Sequence, residues 1–185
     1  EGRILLSGES YRPRSPRDAV NSKFALVPAD RYGRGAVTTM DLRENLNMNP
    51  DQHWLKPIDR DLEMKESLGL LREYDVRPQN PAAEFSTLSG GNAQKVVLAR
   101  CLSAGPRVLV LEEPTAAVDI GARTEIHRRI RQIAASGRTV ILISSDLEEV
   151  EQAAEAGADA LILQGIEAGG HRGSFRDRDG EGELG

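Results

Sequence analysis

Three short apolar runs, Val108-Leu109-Val110-Leu111, Val140-Ile141-Leu142-Ile143 and Ala160-Leu161-Ile162-Leu163, constrain the fold of this chain more than any other feature. Each is unbroken by polar residues and partly β-branched, the pattern of a strand covered on both faces in a parallel sheet. Helical spacing fills the gaps between them. Over residues 122–135, Ile126, Ile130 and Ile133 share one face and Gly137 marks the stop; over 146–156, acids crowd the first turn. Strand, helix, strand, helix, strand demands crossover connections. An α/β sandwich with a mostly parallel sheet flanked by helices follows. Phe24-Ala25-Leu26-Val27, stopped by Pro28, predicts a further strand, and residues 3–8 predict a short one ending at a glycine turn.

Between residues 37 and 86 apolar residues thin out. Helices are expected over 42–48 and over 60–74, the latter with Leu62, Leu68, Leu70 and Leu71, and Pro78 and Pro81 end the section. It reads as a small helical insertion. The basic, proline-broken stretch with Arg12, Arg14 and Arg17 reads as a solvated loop. Beyond Gly165 the chain is rich in Gly, Arg, Asp and Glu and is expected to be mobile.

At 185 residues the chain has room for one domain, or one with an insertion. A net charge of −5 argues against nucleic acid as the main partner. The single cysteine, Cys101, excludes an internal disulfide and falls in an apolar helical pattern, where a small core residue is expected. No apolar run approaches the roughly 18 residues that span a bilayer, and no signal peptide is evident. The chain begins at Glu1 rather than methionine and is expected to be part of something longer. His53, His127 and His171 lie far apart without metal-ligand spacing, and Trp54 reads as a packing anchor.

Two stretches carry chemistry. In Leu88-Ser89-Gly90-Gly91-Asn92-Ala93-Gln94-Lys95, Ser89 is a candidate N-cap for a helix whose inner face holds Val97, Leu98, Cys101 and Leu102. The glycines leave the first amides uncovered, and bare amides at the positive end of a helix dipole suit phosphate oxygens. The second stretch is Glu112-Glu113-Pro114-Thr115, two acids at the C-terminal end of a buried strand, where open α/β sheets place their ligands. Strand alternation would send the two carboxylates to opposite faces, one toward Mg²⁺ and the other toward an attacking water. Taken singly, each stretch is also compatible with an ordinary capped helix and an ordinary solvent-facing strand end.

Together with Ala117-Val118-Asp119-Ile120-Gly121 and Ile143-Ser144-Ser145-Asp146, these stretches resemble the ABC ATPase family in order and spacing. They correspond to its signature motif, its Walker B strand with catalytic glutamate, its D-loop and its switch region. Asn92, Val27-Pro28-Ala29-Asp30-Arg31, Glu44-Asn45 and Arg14-Ser15-Pro16-Arg17-Asp18-Ala19 are similar to the second nucleotide-binding half of duplicated sugar-import ATPases of the ribose, galactose and xylose type.

The resemblance implies a P-loop NTPase-like fold. Residues 1–36 and 91–165 would form a RecA-like core, 37–90 a helical subdomain carrying the signature at its end, and 166–185 a flexible tail. ATP and Mg²⁺ are the implied cofactors. Ser89, Gly90, Gly91 and Asn92 would grip the γ-phosphate of a nucleotide held by a partner half, with Asp119 across the interface. Glu113 would be the catalytic glutamate, and Glu112 would stand where the family has its Mg²⁺-supporting aspartate. One extra methylene moves that carboxylate by roughly 1–1.5 Å, and Mg²⁺ tolerates displacement poorly. No G-x-x-x-x-G-K-[ST] occurs, so the P-loop strand is absent from this sequence. Ser145 takes the position of the switch histidine and Ala29 that of the Q-loop glutamine. The chain alone is therefore expected to be inactive. Its partners would be the first nucleotide-binding half and transmembrane permease subunits, at the cytoplasmic face of a bacterial inner membrane, with neither nucleic acid nor sugar touched directly. A soluble ABC-type ATPase and a non-catalytic ABC-like interaction domain are the alternatives.

Overall fold

A computed structural model describes residues 3–48, 59–155, 160–164 and 173–177, in two compact units, Glu1–Ile143 and Ser144–Gly185. The first opens with a hairpin of β1 (Leu5–Leu6) and β2 (Glu9–Ser10). Ser7 and Gly8 form its turn, with φ of 54° and 84°. Positive φ at both turn positions matches the twist of the flanking strands. Helix α1 (Pro16–Asn21) follows, inside a stretch whose prolines suggest only loop. The reason lies in its cap: the Ser15 hydroxyl accepts from Asp18 N, the Asp18 carboxylate accepts from Ser15 N, and Pro16 occupies the first turn, where its missing N–H is harmless.

The sheet of this unit is β3 (Phe24–Val27), β4 (Val108–Glu112) and β5 (Thr139–Ile143), parallel and in that order. Leu26 lies opposite Val110 and Val110 opposite Ile141; one step on, Val27, Leu111 and Leu142 form the next row. Between β3 and β4 the chain makes α2 (Leu42–Asn47), α3 (Arg60–Glu73), a 3₁₀ turn at Phe85–Thr87 and α4 (Gly90–Ser103). Helix α5 (Ile120–Ala135) connects β4 to β5, and Gly137, at φ 83°, closes it. Helix α4 packs on β3 and α5 on β5.

One hydrophobic cluster joins the sheet to the helical insertion. Val27, Leu109 and Leu111 from the strands meet Val96, Val97 and Leu98 of α4, and the same cluster takes in Leu42, Leu71, Val76 and Phe85. Cys101 belongs at its edge, its thiol reaching the Leu26 carbonyl at 3.5 Å and pushed up in pKa by burial. The opposite row of the sheet is open: Leu26, Ile141 and Ile143 are 43%, 45% and 49% exposed.

The second unit contains α6 (Leu147–Glu155), β6 (Ala160–Gln164) and β7 (Gly173–Asp177). Here the sequence expectation needs correction. The third apolar run is a strand, but it pairs antiparallel with β7, in a stretch read as tail, and forms a two-stranded sheet with it. His53, Trp54 and His171 lie outside the described residues.

Candidate functional site

Two helix starts build the site. Ser89 is the N-cap of α4, and Asp119 is the N-cap of α5, its carboxylate accepting from Ala122 N at 3.0 Å. The helices abut at their first turns through Gly91. A methyl placed on Gly91 would stand 2.7 Å from Ala122 Cβ and 3.3 Å from Asp119 Oδ2. Only glycine lets the two backbones come so close. Gly90 is hemmed in as well, since a Cβ there would lie 3.0 Å from the Ala117 carbonyl. The Gly90 and Gly91 amides sit in the first turn, where no carbonyl of the same helix can accept from them.

Asn92 organises the turn from within. Its Nδ2 donates to Ser89 Oγ at 3.0 Å, while its Oδ1 accepts from Arg77 N at 2.9 Å. The backbone N–H of Asn92 also points at Ser89 Oγ, at 3.4 Å. Lys95 reaches the Asp75 carbonyl at 3.0 Å. A polar cleft of about 550 Å³ lies against these groups, lined by Ser89, Gly91, Asn92 and Lys95 from α4 and by Asp119 and Ala122 from α5. Arg77, Arg128 and Arg129 add positive charge to it, partly balanced by Asp75 and Glu125. The Glu125 carboxyl is held below its ordinary pKa, first by its hydrogen bond from Arg128 and then by Arg129.

Glu112 and Glu113 part company in a way that strand alternation does not describe. Glu112 ends β4, paired with Ile143, and its Oε2 lies 3.9 Å from Arg34 Nη1. Glu113 has left the strand: its φ is 45°, and its N–H donates to the Ile143 carbonyl at 2.8 Å. The two carboxylates are therefore separated by a backbone turn into the left-handed region, which a non-glycine residue enters at a cost of about 1–2 kcal/mol. Ala117, four residues on, is left-handed too, with φ 52°. The loop from Glu113 to Asp119 thus carries two strained positions between strand and helix. Nothing in the composition of the sequence marks them.

The donor set at α4 fits a phosphate: first-turn amides, the Ser89 hydroxyl, and lysine and arginine side chains around an open cleft. Glu112, the carboxylate at the end of β4, is the acid that would stand beside a nucleotide's Mg²⁺, which takes one or two carboxylates and otherwise phosphates and water; here its Oε2 lies 3.9 Å from exposed Arg34. Ser145 and Asp146 fall in the second unit, where Ser144 Oγ accepts from Asp146 N at 3.1 Å and Asp146 Oδ1 from Glu148 N at 3.0 Å.

The family model for the ABC transporter matches residues 1–116, a span that includes β3, the helical insertion, α4 and β4 with its two acids. The chain belongs to the ABC transporter family. A second family model, nitronate monooxygenase, matches residues 75–184, where strand and helix alternate. The relatives that match about four fifths of the chain are of the first kind. The chain is 42% identical over 153 residues to a putative ribose/galactose/methyl galactoside import ATP-binding protein of Agrobacterium fabrum, covering 80% of this chain and 30% of that protein. It is 40% identical to a ribose import ATP-binding protein of Streptomyces avermitilis over 81% of this chain and 29% of the relative. A xylose import ATP-binding protein of Escherichia coli is 38% identical, with 81% and 30% covered. The chain thus spans about 30% of the length of the curated relatives it matches.

Solved ABC cassettes share the fold. A dimeric bacterial ABC transporter cassette superposes with a TM-score of 0.67 at 18% identity, covering 88% of this chain and 68% of that one. A dimeric post-hydrolysis cassette bound to ADP and Pi gives 0.65 at 18% identity, covering 80% and 64%. The parallel sheet flanked by helices is therefore that of a P-loop NTPase-like ABC cassette.

Proposed function

We propose that this ABC chain is the second nucleotide-binding domain of a bacterial carbohydrate importer, acting on ATP in trans. Its α4 start, from Ser89 to Asn92, meets the γ-phosphate of a nucleotide held by the partner half, and Asp119 stands across that interface. The observation that carries the reading is the contact at Gly91, which sets two helix starts side by side at the mouth of one polar cleft. Aimed amides stabilise the charge that develops on a transferring phosphoryl group. Asn92 serves by fixing the Ser89 hydroxyl. The relatives' names, all sugar import ATP-binding proteins, supply the substrate class. Permease subunits at the cytoplasmic face of the inner membrane would be the mechanical partners, reached through the helical insertion. No helix among the described residues is long and apolar enough to cross a membrane.

On this reading Glu112 and Glu113 belong to a weakened site of the chain's own, and the productive site is the partner's. The test is ATP turnover by the chain combined with an intact partner half. Gly90→Val, whose side chain would press on the Ala117 carbonyl, and Ser89→Arg should each cut kcat by about 100-fold or more, the scale of losing oxyanion-type donors. Glu113→Gln should leave turnover within about threefold of wild type. Full activity in the first two variants would overturn the reading.

A further inference from the structure

The loop that follows β3 is fastened to α4 and to the residues just before it at several points. Tyr32 Oη lies 3.5 Å from the Leu88 carbonyl, and its ring meets Phe85 edge-on with centroids 6.0 Å apart. From α4, Arg100 donates back to the Gly35 carbonyl at 2.5 Å. Asp30 shapes the loop itself: its carboxylate accepts from Gly33 N at 2.8 Å and its carbonyl from Arg34 N and Gly35 N at 3.0 and 2.9 Å.

Within this loop Arg31 stands apart, a permanently charged side chain that is only 7% exposed. Its Nη1 donates to the Gly90 carbonyl at 3.2 Å, and its Nη2 donates to the Ala116 carbonyl. Those carbonyls belong to two different segments. Gly90 opens α4, and Ala116 lies in the strained loop between Glu113 and Asp119, next to left-handed Ala117. A guanidinium is a planar, preorganised fork that can hold two acceptors at a set spacing, whereas an ammonium is a point donor on a flexible stem.

We infer that Arg31 is a positioning residue for the reaction: its buried fork fastens the Ser89–Asn92 helix start to the 113–119 loop, so that the signature amides and Asp119 meet a nucleotide at one fixed spacing. This rests on the trans reading above. Arg31 touches no reacting atom and acts through Gly90 and Ala116. Gly91 keeps the two helices close, and Arg31 keeps them from sliding.

The experiment compares Arg31→Lys and Arg31→Met with wild type, in the chain combined with an intact partner half, by ATP turnover and by amide hydrogen exchange. The expected result is a fall in kcat of about 10–100-fold, the cost of small misplacement, with KM for ATP within about twofold. Lysine should be the milder change, because it can still satisfy one carbonyl. Exchange should quicken at residues 89–92 and 114–118 and hold elsewhere. Wild-type kcat together with wild-type exchange in Arg31→Met would overturn the inference, as would a loss of kcat accompanied by faster exchange throughout. Should Arg31→Met fail to fold, Arg31→Lys is judged by the same criteria. Gly90→Val, assayed in parallel, separates the two claims. Its full activity sinks the trans reading, whereas its inactivity beside unaffected Arg31 variants sinks the positioning role alone.

Discussion

Gly91 does the most with the least. With a methyl 2.7 Å from Ala122 Cβ, Gly91→Ala must push α4 and α5 apart. Overpacking of this kind costs about 1–3 kcal/mol, and the urea midpoint of the variant should fall accordingly. Its effect on turnover should exceed its effect on stability, because the separated helix starts also widen the cleft. At this scale the sequence was readable wherever chemistry is local. Ser89 as a cap and two glycines beside it follow from short-range rules that hold in any fold, whereas Asp119 was singled out by the family resemblance alone. Arg31 was not readable in the same way: its partners are 59 and 85 residues away, and an arginine in a polar loop gives no sign that it will be buried. The left-handed turn at Glu113 was hidden for a related reason. Its N–H bond to the Ile143 carbonyl is tertiary, made to a strand thirty residues on.

Among the elements, α5 carries the clearest electrostatic signature. Glu125 accepts from Arg128 Nη2 at 2.5 Å and from Arg129 Nε at 3.2 Å. Arg129 goes on to the Glu73 carbonyl at the end of α3 and lies 4.9 Å from the Tyr74 ring centre. Because the folded-state pKa of Glu125 is lowered, its contribution is fully present above the ordinary glutamate range and is lost as pH falls through the lowered value. Between about pH 7 and about pH 3, Glu125→Gln should therefore lose less stability than wild type, measured by denaturant midpoints at each pH. Element by element, the parallel strands were legible because four apolar residues in a row have few other uses, and α4 and α5 because their apolar spacing is helical throughout. Strand β6 was equally plain as a strand. Its partner was not, since an apolar run does not say what it packs against. Helix α1 was masked by prolines, although Ser15-Pro16-Arg17-Asp18 holds a complete capping box.

At the scale of the whole unit Glu1–Ile143, the sheet carries an exposed apolar row of Leu26, Ile141 and Ile143. Contiguous exposed apolar area drives self-association. Ile141→Thr keeps β-branching on the strand and removes part of that row, so it should raise the concentration at which the chain stays monodisperse in light scattering, with a stability change within about 1 kcal/mol. The single cluster that runs from Val27 and Leu109 through α4 to Leu42, Leu71 and Phe85 has a different consequence. Neither the strands nor the helical insertion owns a separate interior, so neither has a melting point of its own. Heated, Glu1–Ile143 should lose both in one calorimetric step, with van't Hoff and calorimetric enthalpies in agreement. For the same reason a force applied to the insertion finds no slack before it is felt at the strand that leads to Glu113.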